Sequence, residues 1–348
     1  MIKIKTVLLG IVILLLIVAC GQTETPAPTA PDSAASPPAQ TGDAAYPAPD
    51  TDTAVTQDAY PIPSEDVNLL ESDPVPGFPG KIAFHSERMG GLQIFVLDGT
   101  TGELTQVTND PREAFEPAWS PDCSQIIYTS GAGSLTDFGL YRIQADGSDR
   151  TPFIDQPGIG EWAAAWSPQG DRVAYQATPD AGLMNVCLAD ANGQPQGCLA
   201  HSGYSNASPD WSPDGRQIVF SSNRTGNWEI FVKTADLSET AVQLTSNGAS
   251  NLYPKFAPDG QTIVYSSNQP GIRTLFTMNP DGSNQQQIIA SPDVNTMPHW
   301  LGNDMVLFTS DRTSEWDLYM TARDGSSPPR RLTFSSSSDQ WPAWCQAD

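Results

Sequence analysis

Imidazoles, carboxylates and thiols are the groups with which this chain could do chemistry, and their spacing is unhelpful to catalysis. Its three histidines are His85 in KIAFHSE, His201, and His299 beside Trp300. A locally built metal centre or acid-base pair brings a second ligand or carboxylate at a short, regular spacing. None accompanies these histidines, so they read as packing or surface residues, and no metal or cofactor is expected. Gly203-Tyr204-Ser205-Asn206-Ala207 has the outline of a nucleophile elbow but lacks the final glycine and any strand-to-helix setting. The Asp-Gly-Ser triplets at 146–148 and 281–283 lack the ladder of oxygen ligands of a calcium loop and read as hairpin turns. No residue is assigned a catalytic role.

The five cysteines divide by context. Lys3 and Lys5 precede an apolar run over 7–19, short for a membrane span and suited to a signal sequence. The run ends Ile17-Val18-Ala19-Cys20-Gly21, which resembles a bacterial lipobox, so residues 1–20 read as a lipoprotein signal peptide with Cys20 as the lipidated residue. Residues 21–80 are rich in Pro, Ala, Thr and Asp, contain no Lys or Arg, and read as a disordered tether. Of the net charge of −23, the ten acids of this tether and the two leader lysines account for −8, leaving −15 on the remainder. That balance argues against nucleic acid and anionic lipid as partners. Four cysteines remain in an exported chain, an even number that favours disulfides.

The elements that must position any site follow from a repeat. An aromatic residue followed by Ser-Pro-Asp-Gly or a decayed form occurs at Trp119, Trp166, Trp211, Phe256, Trp300 and Trp344, spaced 47, 45, 45, 44 and 44 residues. Five anchors are followed by a short apolar strand, as in QIVFSS at 217–222, then by a WEIFVKT-type strand and a short LTSN-type strand. KIAFHS at 81–86 is the same second strand with no anchor before it, and Trp344 is an anchor with almost no chain after it. Four strands per repeat at a period of ~40–45 residues is the requirement of a propeller blade, whose sheet buries its faces only when neighbours stack on it. The fold class expected over 81–348 is therefore all-β: a six-bladed β-propeller of four-stranded antiparallel blades, closed by the C-terminal strand. The anchor fills the wedge between sheets, and Ser-Pro-Asp-Gly reverses the chain.

On that frame, Cys187 and Cys198 face each other across a third-to-fourth-strand hairpin, and Cys123 and Cys345 lie in neighbouring blades once the ring closes. Both pairs are expected to be bridged. The repeats resemble those of TolB-type propellers (WD40-like PD40 repeats) in the W-S-P-D-G turn, the strand ending in Ser, and the aromatic-rich strand leading to Asp-Gly. The resemblance covers about residues 81–348. TolB itself would carry an α/β domain before the propeller, and similar propellers in prolyl-oligopeptidase-type enzymes are followed by a hydrolase domain; neither is legible here. The resemblance implies an envelope protein that binds a peptide segment at the channel mouth, and a monomeric propeller is expected. Cell-wall or extracellular polysaccharide is the alternative ligand, and a metal-dependent polysaccharide lyase a more distant one.

Within such a disc the variable loops gather on the face where each anchor strand begins. Counting five residues back from the anchors gives Ala114, Glu161, Asn206, Asn251, Asn295 and Asp339, of which five are acids or amides. Near them stand Phe115, Trp162, Tyr253, Met297 and Trp341, with Trp228 and Trp316 at the starts of third strands. Polar groups converging on an aromatic-walled concavity suit a peptide or glycan. Glu161, Asn206, Asn251, Asn295, Asp339, Trp162, Tyr253 and Trp341 are thus the expected ligand-binding residues.

Overall fold

The computed structural model describes residues 77–348 except 181, 200–202, 239 and 347–348. The expected signal peptide with Cys20, most of the expected tether and His201 lie outside the described residues. Blade 1 contains β1 (Lys81–Ser86), β2 (Gln93–Asp98) and β3 (Leu104–Gln106). Blade 2 follows with β4 (Glu113–Trp119), β5 (Gln125–Gly131), β6 (Gly139–Gln144) and β7 (Thr151–Ile154). Blade 3 has β8 (Glu161–Trp166), β9 (Arg172–Asp180), β10 (Leu183–Asp190) and β11 (Pro195–Cys198). Blade 4 has β12 (Asn206–Trp211), β13 (Gln217–Ser222), β14 (Glu229–Thr234) and β15 (Val242–Gln243). Blade 5 has β16 (Asn251–Phe256), β17 (Ile263–Ser267), β18 (Thr274–Met278) and β19 (Gln286–Gln287). Blade 6 has β20 (Asn295–Leu301), β21 (Met305–Ser310), β22 (Asp317–Ala322) and β23 (Arg330–Arg331), and β24 (Asp339–Cys345) returns to pair with β1 and complete blade 1. Every sheet has four strands, and every pairing is antiparallel between strands adjacent in its blade.

The second strand of each blade is covered by neighbouring sheets on both faces, which is why QIVFSS is buried from Ile218 to Ser222 without alternation. Apolar residues gather into six clusters, one at each interface between successive blades; one joins Val219, Ile230 and Val232 of blade 4 to Phe256, Tyr265 and Phe276 of blade 5. Three anchors also hydrogen-bond the preceding blade. The indole N–H groups of Trp119, Trp211 and Trp300 donate to the carbonyls of Ala343, Ala165 and Lys255 at 3.1, 3.0 and 2.9 Å. Each acceptor immediately precedes the anchor of the neighbouring blade, so the indole fills the wedge and staples one inner strand to the next.

Closure has its own chemistry. Cys123 occupies the place of glycine at the end of the Ser-Pro-Asp turn, holds a left-handed φ of 59°, and is bridged to Cys345 of β24. The Cys187–Cys198 bridge joins β10 to β11, where these residues are register partners. Gly80, at φ 81°, lies where a Cβ would come within 2.2 Å of the Cys345 carbonyl oxygen, so the first and last strands meet too closely for any side chain there.

Candidate functional site

The six innermost strands share an irregularity that determines what reaches the channel. Each slips register against its neighbour at one place, as between Phe115 and Ala118, Ala207 and Asp210, and Thr296 and His299. At that bulge Glu116, Ala163, Ser208, Tyr253, Met297 and Trp341 adopt left-handed φ values of 52–57°. Left-handed backbone costs a residue with a Cβ roughly 1–2 kcal/mol, so its recurrence in all six blades marks a feature held by the surrounding sheet. In five blades the next residue is proline (117, 209, 254, 298 and 342), which has no N–H to lose where the ladder is broken.

The bulge turns these six side chains into the central channel. They line a cavity of about 160 Å³ together with a second ring formed by Ala118, Ala165, Asp210, Lys255, His299 and Ala343. Its walls are apolar where Met297, Trp341 and Tyr253 meet; the last two rings pack edge to face with centroids 5.2 Å apart. The cavity also holds charge. Lys255 Nζ is 3.1 Å from Asp210 Oδ1, and the other Asp210 oxygen accepts the Phe256 N–H at 2.8 Å. Burial holds the Asp210 carboxyl above the usual carboxylate range despite these partners.

Glu116 has no such cation. It accepts a hydrogen bond from the Ala163 backbone amide, its Oε2 is buried without a hydrogen-bond partner, and burial pushes its carboxyl up to about 8 against the weaker pull of Lys255. Behind it His85 is fully buried; its Nδ1 accepts the Glu116 N–H at 3.4 Å, its Nε2 has no partner, and burial lowers its pKa to about 3. Burial, aided by Lys255, lowers His299 to about 4. Glu116 therefore stabilises the fold while protonated: its contribution is whole below about 4.5 and is lost as pH rises through about 8. The thermal midpoint of the wild type relative to Glu116→Gln should fall between pH 5 and pH 9. A flat difference across that range would show that Glu116 ionises without cost.

The structure distributes the sequence-expected residues differently. Tyr253 and Trp341 line the cavity. Glu161, Asn206, Asn251, Asn295 and Asp339 form a ring at the inner-strand starts, but each is fully buried and its polar group faces protein. Asp339 accepts two hydrogen bonds from Arg88 at 2.6 and 2.7 Å, and Asn206 and Asn295 accept from Arg224 and Arg312 at 2.9 and 2.6 Å. Asn251 donates to Glu229 at 2.7 Å, and Glu161 accepts the Gln156 N–H at 3.3 Å. Trp162 is buried edge-on against Phe138. The count of five is off the channel because the bulge adds a residue and redirects the side chain three before each anchor. Glu116, Ser208, Lys255, Asp210 and His299 were missed, although the X-Pro pair two residues before five anchors was a legible signal of a broken ladder. Among the described residues no group of three or more His, Cys, Asp or Glu could hold a metal ion.

Six four-stranded blades around a lined channel define the molecule as a β-propeller with a central pocket. Residues 145–301 match the family model of the TolB beta propeller domain. A Protein TolB homolog of Chlorobium luteolum is 30% identical over 169 residues, 47% of this chain and 36% of that protein. The Tol-Pal system protein TolB of Bordetella pertussis is 36% identical over 155 residues, 44% of this chain and 35% of that protein. The matches thus span about a third of the length of these curated relatives. The crystal structure of TolB from Acinetobacter baumannii superposes with a TM-score of 0.67 at 18% identity, covering 77% of this chain and 67% of that one. The chain carries a TolB-like, six-bladed propeller.

Proposed function

We propose that this protein is a lipid-anchored, extracytoplasmic binding protein whose propeller recognises a peptide segment of an envelope protein in the channel. One observation carries the reading: a cavity of about 160 Å³, walled by Tyr253, Met297 and Trp341 and containing a buried, half-satisfied carboxyl at Glu116. That volume is the scale of one side chain, below the ~300–1,000 Å³ of pockets for drug-sized ligands. That scale favours a peptide side chain over a saccharide. The Tol-Pal system named for the Bordetella relative supports a protein partner in the envelope, and Lys3, Lys5 and Ile17 to Gly21 support export and lipid attachment at Cys20. The role is binding, not catalysis.

Photo-crosslinking residues placed at Tyr253 and at Trp341, in cells, test the reading. The expected result is capture of the same envelope protein from both positions and none from Asp281, on an exposed hairpin turn outside the cavity lining. Capture only of glycan, or the same products from all three positions, would overturn it.

A further inference from the structure

Resting on the peptide reading above, we propose that the channel selects a cationic side chain, lysine or arginine, whose charged end meets Glu116 and whose aliphatic stem lies against Tyr253, Met297 and Trp341. The cavity's own cation, Lys255, is tied to Asp210 at 3.1 Å. His299 and His85 are both held neutral by burial, so neither supplies a second positive charge. Glu116 is the acid left over. It is 5% exposed, it lines the cavity, and its Oε2 has no hydrogen-bond partner. A buried polar atom is ordinarily satisfied, and an ammonium or guanidinium group supplies both donors and the opposite charge.

The walls suit the rest of such a side chain. Lysine and arginine carry apolar stems that pack on hydrophobic surface while the head seeks polar partners, and aromatic faces attract the cation directly. Tyr253 and Trp341 meet edge to face at 5.2 Å on the same channel wall as Met297. The domain's surplus of fifteen negative charges draws a basic segment toward the disc. Binding a cation also makes Glu116 give up its proton, so recognition and deprotonation are linked. The other ionisable groups facing the cavity are Asp210, Lys255, His299 and Tyr253, with His85 behind it; burial holds both histidines neutral and the Tyr253 hydroxyl protonated.

A random dodecapeptide library displayed on phage and selected on the immobilised full-length protein at pH 8 tests the inference. Selected peptides should share one Lys or Arg. For a synthetic peptide of that sequence, exchanging that residue for norleucine should weaken binding at least tenfold, and Glu116→Gln should weaken the parent peptide equally. Affinity for wild type should rise up to about tenfold per pH unit from pH 6 toward 8 and rise less steeply for Glu116→Gln. Ser208→Trp separates the two claims: Ser208 lines the cavity, and its φ of 52° matches the 57° of Trp341, so indole fits the backbone there and fills the channel. Peptides blocked by Ser208→Trp but lacking an enriched basic residue, or indifferent to Glu116→Gln, overturn the cationic selection and leave peptide binding standing. If no peptide is selected, or if those selected ignore Ser208→Trp, both readings fall.

Discussion

Removal of residues 337–348 is expected to leave a chain that cannot close its ring and that aggregates. β24 supplies the innermost strand of blade 1, pairing with β1 from Lys81 with Cys345 to Ser86 with Asp339. Without it β1 becomes an unpaired inner edge, a ready template for association. The same deletion takes the Ala343 carbonyl from the Trp119 indole, Trp344 from the cluster around Ile82 and Phe84, and the disulfide partner of Cys123. The bridge alone encloses 222 residues; on a chain-entropy model it contributes about 5 kcal/mol. Size-exclusion chromatography and thermal unfolding of the truncated and full-length proteins measure the effect. A monomer with an unchanged midpoint would mean that the ring is held by blades 2 to 6 alone. The milder Cys123→Ser, Cys345→Ser variant should remain a closed monomer of lower stability.

Arg88→Ala is expected to destabilise the propeller by about 3–5 kcal/mol, because it strands a buried carboxylate. Asp339 is fully buried, and Arg88, itself only 5% exposed, donates to both of its oxygens and to Ser86 Oγ at 2.9 Å. The guanidinium also lies 4.9 Å from the Phe95 ring centroid, so its loss removes packing as well as charge. In a domain of this size the midpoint should fall on the order of 10 °C. Burial already raises the Asp339 carboxyl even with Arg88 present. Without the arginine the folded protein must take up that proton, so the deficit should be smaller at pH 4 than at pH 7. Arg224 and Arg312 make the same bracket to neutral Asn206 and Asn295, and their truncation should cost less, about 1–3 kcal/mol. A loss below about 0.5 kcal/mol for Arg88→Ala would show that Asp339 is satisfied by other donors.

The bracket separates what was legible in the sequence about these inner-strand starts from what was not. Equivalence of Glu161, Asn206, Asn251, Asn295 and Asp339 was legible because six anchors fix the register of six strands. Their burial was not, because Arg88, Arg224 and Arg312 come from the loop after the second strand and fold over the strand start. A Ser-x-Arg triplet at 86–88, 222–224 and 310–312 is visible in the chain, but nothing local says where its guanidinium points.

The sequence by itself determined the architecture: the period of the anchors, the four strands per unit, the closure by the last strand and both disulfide pairs. The strands and turns rest on residue spacing and turn chemistry within one or two strands, and closure with the Cys123–Cys345 pairing follows from the anchor that Trp344 supplies and Lys81 lacks. Tertiary structure alone decided which side chains face the channel. A bulge at the same place in each inner strand shifts the alternation by one residue and brings Glu116, Ser208, Tyr253, Met297 and Trp341 inward. It also decided their electrostatics, because the partners that satisfy or abandon a buried charge come from strands as far apart as β1, β4, β12 and β16. The pairing of Lys255 with Asp210 joins the inner strands of two neighbouring blades, and the unpaired oxygen of Glu116 is visible only with those strands side by side.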